Sequence, residues 1–379
     1  MIQIKSDKII IGEELFDGYL YLQDGKVKSV TAENIPCAES YDYTGFYVSP
    51  GFIDLHTHGA GGHPFMNNTA EDVIAGCAHH LAHGTTCILP TISAGPFPVM
   101  KDAVIQIRKA MESGKAPTVL GAHLEGPYLS KNQCGAQNTA FITSPVQADY
   151  ESLIEEHGCA VKRWTYAPEN DTDGKFCKYL TDHGVIASAG HSDAVYDDMQ
   201  VAMANGCNLI THLYSCTSTI TRNQGFRRLG INETAYLHDD MYVEIIADGK
   251  HLPPELIRLI LKCKGTDKVA LITDSLEIAC TDVKEGVMSG TEFIVEEGVC
   301  RLKDRSAFAG SIATADVLIR TLTKSCGYPV ATAVKMLTKV PAEILKVNKG
   351  RLAEGMDADV VVFDEDIAIK QVFLAGQKI

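Results

Sequence analysis

From residue 51 onward the chain alternates between short apolar runs and longer stretches with helical periodicity, and this alternation limits the fold more than any other feature. The apolar runs have the length and composition of buried strands. Helical stretches fill most gaps between them, at 70–82, 99–111, 146–157, 194–204 and 254–261. The strand-like runs are 52–55, 86–89, 119–123, 163–166, 185–189, 209–211, 242–246 and 269–272. Eight strands with helical connections predict an α/β protein built as a closed parallel (β/α)8 TIM-like barrel.

An open, doubly wound sheet is the competing architecture for such an alternation. Its first turn would carry the glycine fingerprint that holds a dinucleotide. The turn after the first predicted strand reads Gly59-Ala-Gly-Gly62, which does not fit that spacing, and His58 stands directly before it. The sequence therefore favours the closed barrel.

Both ends of the chain read as short β-segments that are too small to be stable alone. Residues 1–48 and 350–379 are predicted to form one small β-domain, and residues 49–349 the barrel domain between them. An insertion from Gly290 to Ala309 follows the eighth strand, with a hairpin predicted from 291–295 and 299–303. Two helices are predicted to follow it, at 312–324 and 330–345.

Net charge and composition limit the kinds of molecule that the chain is expected to bind. The net charge of −14 argues against non-specific binding to nucleic acid or to anionic membranes, which attract basic surfaces. No apolar run approaches a membrane span, and no secretory leader is evident, so the expected location is cytoplasmic. The 12 cysteines are scattered singly, which is typical of reduced core thiols. A small-molecule substrate is expected.

Imidazole and carboxylate residues recur at the carboxyl ends of the predicted strands, where barrel enzymes hold their active sites. His56 and His58 follow the first strand, and because residues i and i+2 of a strand point the same way, both can reach one metal ion. The others are Glu125, His191, His212, Asp248 with His251, and Asp274. Such a ligand set suits zinc or a similar divalent ion. By contrast, His79, His80 and His83 lie on a predicted helix and its C-terminal turn and are expected to be surface or capping residues.

These motifs resemble the amidohydrolase superfamily of metal-dependent barrel hydrolases and, more narrowly, the N-acetylglucosamine-6-phosphate deacetylase family. The resemblance runs nearly end to end, and His123-Leu-Glu-Gly-Pro127 is its most discriminating element. The other shared motifs include Pro50-Gly-Phe-Ile-Asp-Leu-His-Thr-His58, Ala189-Gly-His-Ser192, Thr211-His-Leu-Tyr214, Ile245-Ile-Ala-Asp-Gly249 and Thr273-Asp274.

The resemblance implies a ligand set for one or two divalent ions per chain. Glu125, His191 and His212 would hold the main ion, and His56 and His58 would hold a second one together with Glu125. Zinc is the first expectation, with iron, manganese, cobalt or nickel as alternatives.

The resemblance also implies roles in catalysis. Asp274 would be the general base and then the acid, and His251 would contact the sugar or polarise the acetyl carbonyl. The expected reaction removes the acetyl group from N-acetylglucosamine 6-phosphate and gives glucosamine 6-phosphate and acetate. The alternatives are another amidohydrolase reaction, on a different N-acetyl sugar, a cyclic amide or a deamination substrate, or a non-catalytic metal-binding protein.

Substrate recognition is where the chain departs from the family pattern. Ser215-Cys216-Thr217 stands where Asn-Ala-Met is common, and Gln137 stands where some members have His. Arg222 remains at the place where the family binds phosphate, often across a dimer interface, which implies a homodimer. Arg227 and Arg228 are competing anchors for an anion, and are otherwise expected to be solvated or salt-bridged. The predicted substrate-binding residues are Gln137, Ser215, Cys216, Arg222 and His251.

Overall fold

The computed structural model describes residues 1–288 and 291–379. Eight parallel strands form one sheet, each within a few residues of its predicted position, and the predicted barrel is confirmed. The first and last of these strands meet: Asp274 N–H donates to His56 O at 2.9 Å, and His58 N–H donates to Ser275 O at 2.7 Å. The barrel strands are Phe52–Thr57, Thr85–Ile92, Ala122–Glu125, Val161–Tyr166, Ile186–Ala189, Leu209–Ile210, Tyr242–Ile246 and Val269–Ile272.

The interior of the barrel carries charge. Arg163 and Glu244 form an ion pair with no exposed side-chain surface, and a second contact between them, Nη2 to Oε2, measures 2.7 Å. Arg163 also donates to the hydroxyls of Ser188 and Thr211 and to the Leu55 carbonyl. A buried charge is tolerated only when it is paired and its remaining donors are satisfied, and this arrangement meets both conditions.

The helices surround the barrel, and most begin and end close to prediction. Lys175–Asp182 and Ile231–Leu237 were not predicted, because eight and seven residues hold too little periodic pattern to be recognised. The helices are Ala70–Ala82, Phe97–Glu112, Gln147–His157, Lys175–Asp182, Tyr196–Ala204, Ile231–Leu237, Pro254–Lys264, Ala315–Arg320, Val330–Leu337 and Lys339–Leu345.

Two helices after the eighth strand differ from prediction. The one predicted at 312–324 is Ala315–Arg320 continued by a π-helical turn at Thr321–Ser325. The one predicted at 330–345 breaks at Thr338 into Val330–Leu337 and Lys339–Leu345. Pro341 explains the break, because its ring would clash with the Leu337 carbonyl in a continuous helix and it has no N–H to donate.

The prediction that His80 lies at the surface was wrong. Its side chain is fully buried, and its Nε2 lies 3.0 Å from both Thr57 Oγ1 and the Gly59 carbonyl. The helix Ala70–Ala82 buries Val73, Cys77 and His80 along one face, which is the i, i+4, i+7 pattern of a helix packed on a core. His80 therefore supports the segment that carries His56 and His58.

Strands from both ends of the chain share one sheet, which confirms the predicted β-unit formed from the two termini. Tyr47–Pro50 pairs in parallel with Ile2–Ile11 and antiparallel with Val360–Phe363, so it joins the two ends. The domain boundaries at 48/49 and 349/350 stay a prediction. The strands of this sheet are Ile2–Ile11, Glu14–Gln23, Lys26–Thr31, Glu39–Asp42, Tyr47–Pro50, Val360–Phe363, Ile369–Leu374 and Gln377–Lys378.

The insertion after the eighth strand is a small antiparallel sheet at the mouth of the barrel. Thr291–Glu296 pairs with Val299–Leu302, as predicted, while Gly290 lies outside the described residues. Glu285–Met288 and Phe308–Gly310 flank this hairpin. Within residues 1–288 and 291–379, no helix has both the length and the apolar character that crossing a membrane requires.

Candidate active site

Five predicted metal ligands come together at the carboxyl ends of the barrel strands. Glu125 is their centre, because its Oε1 lies 3.0 Å from His191 Nε2, 2.9 Å from His212 Nε2 and 3.4 Å from His56 Nε2. Its Oε2 lies 3.4 Å from His58 Nε2, and the Nε2 atoms of His56 and His58 are 3.2 Å apart. Two groups of side chains thus share one carboxylate: Glu125–His191–His212 and His56–His58–Glu125.

The backbone at three of these strand ends is left-handed, a conformation that non-glycine residues rarely adopt. His191, His212 and Asp274 have φ values of 46°, 28° and 47°. Such strained residues persist only where the surrounding structure holds them, and they cluster at functional sites.

The donor chemistry of the cluster fits a cation. A carbonyl oxygen only accepts, so His191 Nδ1 must carry the proton that it donates to Gln133 O at 2.7 Å. His191 Nε2 faces a Glu125 carboxylate oxygen at 3.0 Å, a contact that either a proton on Nε2 or a cation between the two atoms makes attractive. Burial raises the pKa of Glu125, but the charges of His56 and His191 and the hydrogen bonds from His191 and His212 outweigh it and hold that pKa well below its usual range. The cluster can therefore bind one or two divalent metal ions.

Asp274 borders the cluster. Its Oδ1 lies 3.3 Å from His56 Nε2 and 3.1 Å from His58 Nε2. Burial raises the pKa of the Asp274 carboxyl, but the charge of His56 and the hydrogen bond and charge of His58 lower it to about 2. Asp274 is thus an ionised carboxylate next to the predicted metal ligands.

His251 is oriented by Asp248, its neighbour at i−3. The His251 Nδ1–H donates to Asp248 Oδ2 at 2.8 Å, and Asp248 Oδ1 accepts from the backbone N–H groups of Lys250 and His251. Burial lowers the pKa of His251, but the hydrogen bond and charge of Asp248 and the charge of Asp274 outweigh it, so the pKa lies above its ordinary value. The ring packs edge-on against Phe308, with centroids 4.9 Å apart.

Two supporting residues were missed by the sequence analysis. Ser93 Oγ lies 3.1 Å from His58 Nδ1, and Ser93 directly follows the second barrel strand, so the strand-end rule could have found it. Gln133 supports His191 through its backbone carbonyl, for which the sequence carries no side-chain signal.

A cavity of about 760 Å³ opens above the cluster. Phe293, Leu302 and Phe308 of the inserted sheet form part of its wall, which the sequence analysis did not predict. Among residues 1–288 and 291–379, its lining includes no lysine or arginine. The predicted site residues that line it are His58, Glu125, Gln137, His191, His212, Ser215, Cys216, His251 and Asp274.

Arg222 lies apart from this cavity. It stands on an exposed two-stranded hairpin, Thr221–Asn223 paired with Phe226–Arg228. Arg227 and Arg228 are exposed on the same hairpin, and the side chain of Phe226 between them is 78% exposed. The structure therefore brings every predicted site residue together except Arg222.

A parallel eight-stranded barrel with four imidazoles and two carboxylates at the carboxyl ends of its strands defines a metal-dependent barrel hydrolase. The chain belongs to the amidohydrolase family, whose sequence profile matches residues 47–379. The resemblance drawn from the motifs is thereby confirmed.

Two curated relatives and one solved structure are similar along nearly their whole length. The N-acetylglucosamine-6-phosphate deacetylase of Lysinibacillus sphaericus is 31% identical over 363 residues, which are 94% of this chain and 92% of the relative. An N-acetylgalactosamine-6-phosphate deacetylase of Shewanella sp. is 29% identical, covering 96% and 90%. A mutant N-acetyl-D-glucosamine-6-phosphate deacetylase of Mycobacterium smegmatis, solved with N-acetyl-D-glucosamine-6-phosphate, aligns with a TM-score of 0.92 at 28% identity, covering 100% and 98%.

Proposed function

We propose that this chain hydrolyses the acetamide of N-acetylglucosamine 6-phosphate to give glucosamine 6-phosphate and acetate. The observation that carries the proposal is the convergence of His56, His58, His191 and His212 on Glu125, with Asp274 beside them at the floor of one cavity. An amide is a poor electrophile, and this donor set suits the cation that its hydrolysis needs. The two curated relatives that match nearly the whole of this chain are named as deacetylases.

Glu125, His191 and His212 would hold one ion, and His56 and His58 would hold a second together with Glu125. Imidazole nitrogens and a carboxylate favour zinc, with iron, manganese, cobalt or nickel as alternatives. A divalent ion held by these residues would supply Lewis acidity, which activates an amide carbonyl and lowers the pKa of water.

Asp274 moves the proton. It takes a proton from the attacking water and passes it to the sugar nitrogen as the carbon–nitrogen bond breaks. Its position suits both steps, because Oδ1 faces the Nε2 atoms of His56 and His58 and the side chain also lines the cavity.

His251 stabilises the carbonyl oxygen as negative charge develops on it. Its Nδ1–H is committed to Asp248, so Nε2 is the ring nitrogen left for the substrate. A raised pKa favours the protonated ring, which can donate from Nε2 to that oxygen.

The described lining of this cavity offers no lysine or arginine to pair with the phosphate of the substrate. We therefore propose a homodimer in which Arg222 of one chain reaches the cavity of the other. A phosphate carries close to two negative charges, and a guanidinium can pair with it through two parallel hydrogen bonds. The exposed hairpin that carries Arg222 and Phe226 is available to a second copy. Ser215, Cys216 and Gln137 line the cavity and would contact the sugar.

N-acetylgalactosamine 6-phosphate is a second candidate substrate. The Shewanella relative named for it matches 96% of this chain, and the Lysinibacillus relative matches 94%. The two sugars differ only in the configuration of one hydroxyl, and the Ser215-Cys216-Thr217 segment departs from the common family pattern.

Release of acetate from a panel of N-acetyl sugars tests the proposal. The panel contains N-acetylglucosamine and N-acetylgalactosamine, each with and without the 6-phosphate, and zinc-loaded protein is used. We expect the highest kcat/KM on N-acetylglucosamine 6-phosphate. No acetate from either phosphorylated sugar would overturn the proposed function, and a higher kcat/KM on the galactose epimer would replace the substrate with the second candidate.

A further inference from the structure

The carboxylate of Glu125 has one contact that the proposed mechanism does not use. Gln137 Nε2 donates to Glu125 Oε2 at 2.7 Å, shorter than the 3.4 Å that separates this oxygen from His58 Nε2. Gln137 stands on the irregular segment between the third barrel strand and the helix Gln147–His157, and its side chain is partly buried. This contact gives Gln137 a role on the metal side of the cavity.

The orientation of the Gln137 amide is determined by a second hydrogen bond. The backbone N–H of Ala94 donates to Gln137 Oε1 at 3.0 Å, and an N–H group can only donate. The oxygen of the amide therefore faces Ala94, and the NH₂ group must face Glu125. Ala94 follows the second barrel strand, Thr85–Ile92, so the amide is anchored to the barrel itself.

The plane of the Glu125 carboxylate decides which of its oxygens meets which imidazoles. Oε1 faces His191, His212 and, at 3.4 Å, His56, whereas Oε2 lies beside His58. These histidines face the carboxylate from the positions predicted for metal ligands. Gln137 contacts it from outside that ligand set.

We infer that Gln137 is a positioning residue for the metal centre: its hydrogen bond to Oε2 holds the Glu125 carboxylate in the orientation that presents its oxygens to the surrounding imidazoles. Partners of this kind orient ligands and raise metal affinity, and their loss costs about 10- to 100-fold in affinity. The inference rests on the proposed function for its biological meaning, but it concerns metal binding, which is measured without substrate. Gln137 is also predicted to contact the substrate. Zinc affinity measured without substrate distinguishes the two roles.

The test is a titration of metal-free protein with zinc alone, in competition with a chromophoric chelator. Gln137→Met keeps the length of the side chain and removes the donor, whereas Gln137→Asn keeps the amide but shortens its reach. We expect zinc affinity about 10- to 100-fold weaker in both variants. Gln106→Met makes the same chemical change on the outer helix Phe97–Glu112, where the Gln106 amide donates to Asp102, and should bind zinc like the unmodified protein.

Circular dichroism and the melting temperature of each metal-free variant show whether it folds. If one of the two Gln137 variants does not fold, the zinc titration of the other tests the inference. Zinc affinity unchanged in Gln137→Met and Gln137→Asn, with KM alone increased, would overturn the inference and leave Gln137 as a substrate contact. If the unmodified protein releases no acetate from any sugar in the panel while both Gln137 variants bind zinc more weakly than it does, the proposed function is refuted and this inference stands.

Discussion

The two ends of the cavity differ in how completely a single chain builds them. At the metal end, Glu125 collects four imidazoles within 3.4 Å, and all of these side chains are buried or nearly so. For the phosphate, the described lining of the cavity includes no lysine or arginine, and Arg222 stands on an exposed hairpin. The barrel strands thus place the predicted metal ligands and Asp274. In our proposal, the substrate phosphate is bound by a surface segment of a second chain.

The largest effect is expected at the metal end. Asp274→Asn keeps the size of the side chain but removes the base, so turnover should fall by at least about 100-fold. Zinc content and turnover are measured on the same preparation, because Asp274 lies beside His56 and His58. Asp173→Asn, a surface carboxylate paired with Lys175, is the matched control and should keep full turnover. If Asp274→Asn turns over at a near-normal rate, the base lies elsewhere, with Asp248 as the next residue to replace.

A smaller and selective loss is expected at the phosphate end. Arg222→Met should lower kcat/KM for the 6-phosphorylated sugar by about 10- to 100-fold, as for the loss of a charge-assisted hydrogen bond. Activity on the unphosphorylated sugar should barely change. Arg227→Met, on the paired strand of the same hairpin, is the control. An equal loss on both sugars would mean that Arg222 shapes the hairpin, and a loss in Arg227→Met alone would move the anchor to that residue.

The smallest change is a count of ions. Replacing both His56 and His58 by alanine should lower the zinc content from about two to about one ion per chain, because Glu125, His191 and His212 remain. Elemental analysis of dialysed protein measures it. Loss of both ions, or of neither, would show that the five ligands are divided wrongly between the two positions.

The same contrast between strand ends and surface segments explains what the sequence could predict. Eight strands were located within a few residues, since their apolar runs are bounded by helical stretches. Once a closed parallel barrel is predicted, the carboxyl ends of its strands must meet, so His56, Glu125, His191 and Asp274 could be grouped without a structure.

Contacts that depend on how elements dock were not predicted. The inserted sheet places Phe293 and Phe308 in the cavity wall, and no local pattern reveals which face of a hairpin will turn toward a barrel. His80 was predicted to be a surface or capping residue because it lies on an outer helix, although its spacing from Val73 and Cys77 marks the buried face. The Gln137–Glu125 contact spans an irregular segment whose path the sequence does not indicate.

Mixing two weakened variants tests most directly whether one chain supplies the chemistry and its partner the phosphate anchor. In a dimer of one Arg222→Met chain and one Asp274→Asn chain, one of the two sites combines the native Asp274 of the first with the native Arg222 of the second. After subunit exchange, half of the dimers are mixed, so activity on N-acetylglucosamine 6-phosphate should rise to about a quarter of the unmodified level. Activity no higher than the mean of the two variants measured separately would contradict the account.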